Sequence, residues 1–394
     1  MLLQKQYDYI IAGSGAAGLS LLIHIMAHPF FTNKRIAVID QSEKKNNDRT
    51  WCFWEKDKGL FDDIVHHRWN YLLFESNYWS GTLQIAPYEY KMIKSTDFYA
   101  YVLDAAKHNN HIDFITATIS KIDTDVRYAY VTCNGETIQA DYVFSSLMDL
   151  SVHEMKALPE NKKYHWLLQH FKGWMIETPT DIFDISTANF MDFRVSQQYG
   201  TTFMYLLPLT PNKALVEYTL FTENTLPNEV YENELTNYLK QFVGLAQWKI
   251  LEEENGIILM TNFPFPVSKG RIIYIGTAGG QTKPSTGYTF QFIQKHSAAI
   301  IDRLVQGKNP ALQRNLQQQK FDLYDSTLLQ VMQKGLLGGD ATFAAIFKAC
   351  KATSVLRFLD NESTMAEELR IMYSVPIKHF LPAAMQELGK RWFG

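Results

Sequence analysis

Near the N-terminus, Gly13-Ser14-Gly15-Ala16-Ala17-Gly18 has the residue types and spacing that let a backbone hold a pyrophosphate. Gly13 permits a tight turn, Gly15 lets the main chain approach the phosphates, and Gly18 lets the following helix pack close to its strand. The first amides of that helix, with the positive end of its dipole, add to the attraction. Asp40 stands 22 positions beyond Gly18, where a carboxylate can bind a ribose hydroxyl. A second glycine-bearing run, Gly276 to Gly287 followed by Tyr288, begins 263 positions after the first. Two cradles at the two ends of one sheet suit a long cofactor such as FAD. One would seat the pyrophosphate, the other the ribitol and isoalloxazine.

Two acids are candidates for proton chemistry. Glu217 lies between Val216 and Tyr218, and a carboxylate with such neighbours must be paired, exposed or functional. Strand alternation by itself favours exposure. Glu254 ends the run Glu252-Glu253-Glu254, which reads as a solvated face. Arg49 and Asp48 read as an ion pair near the cofactor, since Trp51 and Trp54 beside them suggest a packed pocket. His24, His66 and His67 have no metal-like spacing with acids or cysteines, so they read as structural and no metal site is expected.

These residues need a particular set of elements. Tyr9 to Ala12 reads as a strand, Ala16 to about Ala27 as a helix, and Arg35 to Ile39 as a second strand ending at Asp40. A polar connector covers Gln41 to Asn47, and Ser95-Thr96-Asp97 reads as a helix cap before Phe98 to Lys107. Asn134-Gly135 marks a hairpin between Val131 and Ile138, and Ala140 to Phe144 is a buried strand placed beside the first. Strands at Phe203–Leu209 and Ala214–Leu220 flank the turn Pro211-Asn212, and Asn228 to Val243 reads as a helix. Arg271 to Ile275 is a strand of the first unit resumed, with a helix from Tyr288. The rest is helical by period, broken at 335–339, Pro376 and Pro382. The class is α/β. A discontinuous nucleotide-binding unit (1–165 with 262–305) holds a β-rich insert (166–261) and is followed by a helical region (306–394).

Bulk properties narrow the partners. A net charge of −3 without a long basic block argues against nucleic acid. Phe, Tyr and Trp make up 14% of the chain, enough for a large aromatic core or for an apolar ligand tunnel. Cys52, Cys133 and Cys350 are odd in number and widely spaced, which fits a reducing compartment. The N-terminus runs straight into a strand, so no signal peptide is expected, and no run approaches 18 apolar residues.

Four segments together resemble the FAD-dependent lycopene cyclases. They are Gly13–Gly18, Asn47-Asp48-Arg49-Thr50-Trp51-Cys52-Phe53-Trp54, Val216-Glu217-Tyr218-Thr219-Leu220-Phe221 and Lys283-Pro284-Ser285-Thr286-Gly287-Tyr288. Arg357-Phe358-Leu359-Asp360 resembles the helical tail of that family. Leu259 stands where cyclases usually have proline, and Gly276-Thr277 replaces the common Gly-Asp of flavoproteins. The resemblance implies a Rossmann-type FAD-binding flavoprotein fold with an inserted β-rich substrate domain and a helical C-terminal region. It implies that lycopene ψ-ends close to β-ionone rings, through γ-carotene to β-carotene, with no net redox change. Glu217 would be the acid and Glu254 a second acid or base. The cofactor residues would be Gly13, Ser14, Gly15, Ala16, Ala17, Gly18, Asp40, Arg49, Gly276, Thr286, Gly287 and Tyr288, holding reduced FAD with NADPH as reductant. A lipid-soluble substrate implies a cytoplasmic protein docked peripherally on the inner membrane face, with Ala341–Phe347 and Met372–Met385 as the contacts to weigh. Rival readings are an FAD monooxygenase, an isoprenoid reductase or desaturase, and a carotenoid-binding flavoprotein without turnover. The first usually has an Asp-Gly pair where this chain reads Phe144-Ser145-Ser146-Leu147.

Overall fold

The computed structural model describes residues 6–393 except Lys45. Lys45 of the polar connector, the first five residues ahead of the first strand, and Gly394 of the helical region lie outside the described residues.

The first unit is built on an eight-stranded sheet. Its strands are β1 (Gln6–Ala12), β2 (Ile36–Asp40), β8 (Ile112–Thr116), β9 (Ile119–Thr124), β10 (Ala129–Cys133), β11 (Glu136–Ser145), β17 (Ser268–Lys269) and β18 (Ile272–Tyr274). The order is β17-β18-β11-β1-β2-β8, with β10 and β9 extending from β11. Neighbours along β18-β11-β1-β2-β8 are parallel. Ile10, Ile11 and Ala12 are fully buried, as expected of a parallel strand covered on both faces. One face is covered by α1 (Ala16–Met26), α2 (Ser95–Ala106) and α5 (Phe290–Val305). Leu19, Leu21 and Leu22 are at 0% exposure because α1 is wedged between the sheet and its neighbouring helices.

The second sheet has the order β16-β12-β15-β14-β13-β5-β6. Five of its strands come from the expected insert: β12 (Trp166–Glu177), β13 (Thr187–Asp192), β14 (Thr201–Thr210), β15 (Lys213–Thr222) and β16 (Lys249–Thr261). β5 (Tyr71–Glu75) and β6 (Gly81–Gln84) belong to it as well, through β5 pairing with β13. Residues read as part of the first unit thus extend the insert's sheet, because no local pattern announces a partner strand over 110 positions away. α4 (Asn228–Gln241) packs Tyr231, Leu235 and Leu239 on one side of this sheet. On the other lies an aromatic cluster that includes Trp69, Phe74, Phe190, Phe193 and Phe203. The third sheet, β3 (Thr50–Glu55), β7 (Glu89–Lys94) and β4 (His67–Trp69), lies between these layers.

The C-terminal region is helical: α6 (Leu316–Gln333), α7 (Gly339–Ala349), α8 (Ala352–Leu359), α9 (Met365–Ser374) and α10 (Ile377–Phe393). A short α3 (Val152–Ala157) precedes β12. Pro376 precedes α10 as expected, whereas Pro382 stays inside it. Pro382 and Lys378 both face solvent, so water can satisfy the carbonyl that the missing amide leaves.

Of two further local readings, one changes and one holds. Ser95 does not cap α2. Its hydroxyl instead accepts from the amides of Asp48 and Arg49 at 2.9 and 3.1 Å, fixing the segment that leads into β3. The Asn134-Gly135 hairpin forms in the expected register, Val131 opposite Ile138, with both turn residues at positive φ.

Candidate active site

The two glycine runs leave the carboxyl ends of parallel strands β1 and β18, which are separated only by β11. They therefore stand side by side on one edge of the sheet, not at its two ends. That edge is where open α/β sheets form ligand crevices. Gly276 has φ +63°, and a Cβ there would meet the Ala17 Cβ at 2.9 Å, so the second loop rests directly on the start of α1. In the first loop, a Cβ at Gly18 would fall 1.9 Å from the Gly13 carbonyl oxygen. At Gly15 a Cβ would meet nothing within 4 Å, because that glycine opens onto a cavity. The N-terminus of α1 has no side-chain cap, which leaves its first amides for a ligand.

Asp40 sits behind this turn. Its carboxylate accepts from the amides of Ser14 and Ser42, at 2.7 and 2.8 Å, with Lys44 Nζ 3.4 Å away. Burial raises its pKa, but the amides and Lys44 outweigh burial and hold it below the usual value. Gly13, Ser14, Gly18 and Asp40 thus frame the cradle, and Gly15, Ala16 and Ala17 line it.

The cavity, about 840 Å³, runs from that cradle past Arg49, Gly276, Thr286, Gly287 and Tyr288 to Glu217 and Glu254. The acids come together through strand register. Glu217 of β15 and Glu254 of β16 both lie opposite Gly173 of the intervening β12. Directly opposed residues share a face, so both side chains project over Gly173, where no side chain intervenes. A Cβ there would meet Glu254 Cγ at 3.1 Å and Leu215 Cδ1 at 3.3 Å.

Desolvation raises the Glu217 pKa well above the carboxylate range; the nearby Glu254 charge adds to this, and the Thr219 hydroxyl, donating at 2.6 Å, opposes it. Burial also raises Glu254, against a 2.7 Å hydrogen bond from the Thr50 hydroxyl. Alternation holds along β15: Val216, Tyr218 and Leu220 face the α4 cluster, and Glu217 faces the other way. The other way is a cavity instead of open water. In the acidic run, Glu253 pairs with Lys172 at 3.0 Å while Glu254 turns inward.

Aromatic groups surround the acids. Tyr205 lies opposite Glu217 across β14 and β15, and Tyr90, Tyr288, Trp51 and Phe171 line the same space. Burial raises the phenols of Tyr90, Tyr205 and Tyr288 and keeps them protonated. The expected Arg49–Asp48 ion pair does not form among the described residues. Asp48 accepts from the Tyr99 hydroxyl at 2.9 Å, and Arg49 donates to the Asp48 main-chain carbonyl. Both still line the cavity. His66 and His67 lie apart from it, with His67 facing the Ile185 carbonyl at 2.8 Å. The three cysteines are free thiols.

Gln169, Phe171, Gly173 and Tyr205 join the site without any role expected of them, and Thr50, part of the segment that carries the resemblance, joins it as the partner of Glu254. The one signal available was a glycine in the middle of a strand, which marks a close approach. That applies to Gly173.

The second loop is tied down from beneath. Lys283, 1% exposed at its side chain, is 2.8 Å from Asp325, and the Ser285 hydroxyl donates to the same carboxylate at 2.6 Å. Lys283 also reaches Asn361, and Trp54 donates to Asp360 at 2.7 Å, so the C-terminal helices hold both the loop and β3.

A family model described as lycopene cyclase protein matches residues 8–385, spanning the cradle, both acids and the helices that brace them. The chain belongs to the lycopene cyclase family. Among similar proteins, the lycopene beta-cyclase of Pantoea ananas is 26% identical over 316 residues, covering 77% of this chain and 75% of that one. The chloroplastic neoxanthin synthase of Solanum tuberosum is 23% identical over 320 residues. That match covers 77% of this chain but only 61% of the potato protein's length. A geranylgeranyl bacteriochlorophyll reductase-like protein from Thermoplasma acidophilum superposes with a TM-score of 0.63 at 13% identity, covering 98% and 99% of the two chains. That likeness concerns the fold. It shows the Rossmann-type α/β fold, with the helical C-terminal region seen here.

Proposed function

We propose that this chain is a lycopene beta-cyclase that closes the ψ-ends of lycopene to β-ionone rings, through γ-carotene to β-carotene, by acid–base chemistry with no net redox change. The observation that carries this reading is the convergence of Glu217 and Glu254 over Gly173, inside the cavity that both glycine loops line. Protonating an alkene needs a neutral carboxylic acid in an apolar setting, and Glu217 is held neutral by its surroundings. The Glu217 proton goes to a terminal double bond, and the next double bond attacks the resulting cation and closes the ring. Glu254, oriented by Thr50, removes a ring proton to leave the new double bond. One proton enters and one leaves, so electrons balance. Tyr90, Tyr205 and Trp51 present rings that stabilise positive charge on the hydrocarbon.

The cavity fits FAD. It offers open amides at Gly15, a second backbone cradle at Gly276–Gly287, and three buried polar atoms without a partner, Gln169 Oε1, Thr286 Oγ1 and Tyr288 Oη. Reduced FAD, with NADPH as the reductant, would supply negative charge beside the developing cation.

A hydrocarbon substrate calls for contact with lipid. No helix among the described residues is long and apolar enough to cross a membrane. α10 instead exposes Ile377, Leu381, Met385 and Leu388 at helical spacing, and α9 exposes Met365, Leu369, Met372 and Tyr373. These stripes support peripheral docking through α9 and α10, which for a cytoplasmic protein would be on the inner membrane face. Ala341–Phe347 is not part of that surface: Phe343 stacks on Phe193 at 5.8 Å and Phe347 packs on Phe74 at 5.0 Å, both in the core.

Expression in lycopene-accumulating cells tests the proposal. Monocyclic or dicyclic carotenes support it, and unchanged lycopene with FAD-loaded protein present refutes it.

A further inference from the structure

Gln169, Phe171 and Gly173 occupy alternate positions on one face of β12, the face that runs from the second glycine loop to the paired acids. Gln169 is 8% exposed, and its Oε1 has no hydrogen-bond partner. That oxygen lies against Gly287, where a Cβ would be only 2.2 Å away, so Gly287 at φ +73° is left bare to admit it. The Gly287 amide does not satisfy it, because it donates to the Lys283 carbonyl at 2.9 Å. Thr286 Oγ1, in a residue 6% exposed, is likewise unpartnered and lines the same cavity.

A buried acceptor left without a donor is costly, and because this oxygen faces Gly287, a ligand's donor would satisfy it once the amide turns into the cavity that Gln169 lines. The proposed substrate is a hydrocarbon with no N–H or O–H. The donor must come from the cofactor, and the inference therefore rests on the FAD reading above. Isoalloxazine offers an N–H at N3 in every state and a second at N5 only after reduction. N5 lies at the ring's reactive edge, and Gln169 shares its strand face with Gly173 beneath the acids.

We propose that Gln169 is a cofactor-positioning residue whose amide oxygen accepts the N–H that reduction creates at flavin N5, thereby favouring the reduced cofactor. Neither proton of the proposed reaction passes through it.

The test compares the full-length protein with its Gln169→Met variant, each reconstituted with FAD, by midpoint potential. Loss of an acceptor used only by the reduced form should lower the potential. A tenfold change in the reduction equilibrium reads as about 30 mV for this two-electron couple. An unchanged or raised potential with full FAD occupancy overturns the inference and leaves the FAD reading standing. Wild-type protein that takes up no FAD overturns both. Should Gln169→Met fail to hold the cofactor, wild-type protein carrying 15N-labelled FAD decides the matter. A reduced N5 resonance shifted from that of free reduced FAD supports the contact, and an unshifted one overturns it.

Discussion

Glu217 owes its proton to its surroundings. Desolvation and the Glu254 charge both disfavour its ionised form, and one Thr219 hydroxyl does not offset them. Glu217→Gln should lower cyclisation by at least ~10²-fold, the lower range for a general acid, while FAD absorbance persists. Full activity in that variant would remove Glu217 from the proposal. The same shift predicts a pH dependence of stability. The folded state holds the Glu217 proton more tightly than the unfolded chain, so stability is lost as pH rises from the unfolded carboxyl value through the raised folded one. Glu217→Gln has no such proton. Its melting temperature relative to wild type should therefore be higher at pH 9 than at pH 5, and a difference independent of pH would contradict the assignment.

Register within the second sheet sets the spacing of the two acids. Gly173 is the point that β15 and β16 share through β12, and its missing side chain gives Glu254 its room. Gly173→Ala would place a methyl against Glu254 and Leu215, a crowding that costs about 1–3 kcal/mol in a packed interior. Denaturant titration should show that loss, and turnover should fall with it even where the protein remains folded. The second loop depends on the Lys283–Asp325 pair in a similar way. Replacing Lys283 with Met leaves a buried carboxylate without its cation, a loss of about 3–5 kcal/mol. At α10 the expected change concerns lipid alone: Ile377, Leu381 and Met385 changed together to Gln should reduce sedimentation with anionic liposomes and leave melting unchanged. Equal sedimentation would reject that helix as the docking face.

At the scale of the whole molecule, the cavity that holds the paired acids lies between two sheets. The first sheet supplies the cradle of Gly15, Ala16, Ala17 and Gly276, the second supplies Gln169, Glu217 and Glu254, and the third supplies Thr50 and Tyr90. A ligand spanning this space ties the layers together. Free FAD at 100 times its dissociation constant should stabilise the fold by about 2.7 kcal/mol through mass action, readable as a rise in melting temperature. Because the α6–α10 region braces both the loop and β3 through Lys283, Asn361 and Asp360, a Trp54→Phe variant should bind FAD more weakly although Trp54 is not in the cavity lining. Unchanged affinity would make that brace incidental.

The first strand, its glycine turn, α1 and β2 follow from adjacent residues, as do the Asn134-Gly135 hairpin and the β14–β15 pair. Local backbone preference and short-range pattern decide such elements before the chain is packed. The resemblance rested on motifs of the same local kind. Tertiary structure decided what stands opposite what. It put the two glycine loops on the same edge of the sheet, drew residues 71–84 into the second sheet, and separated Arg49 from the Asp48 carboxylate. Alternation placed Glu217 on the face opposite Val216 and Tyr218, yet no local rule states what that face meets. Strands and loops distant in sequence close a cavity over it, and the low dielectric they enclose raises the pKa of an ordinary strand glutamate so that it holds its proton.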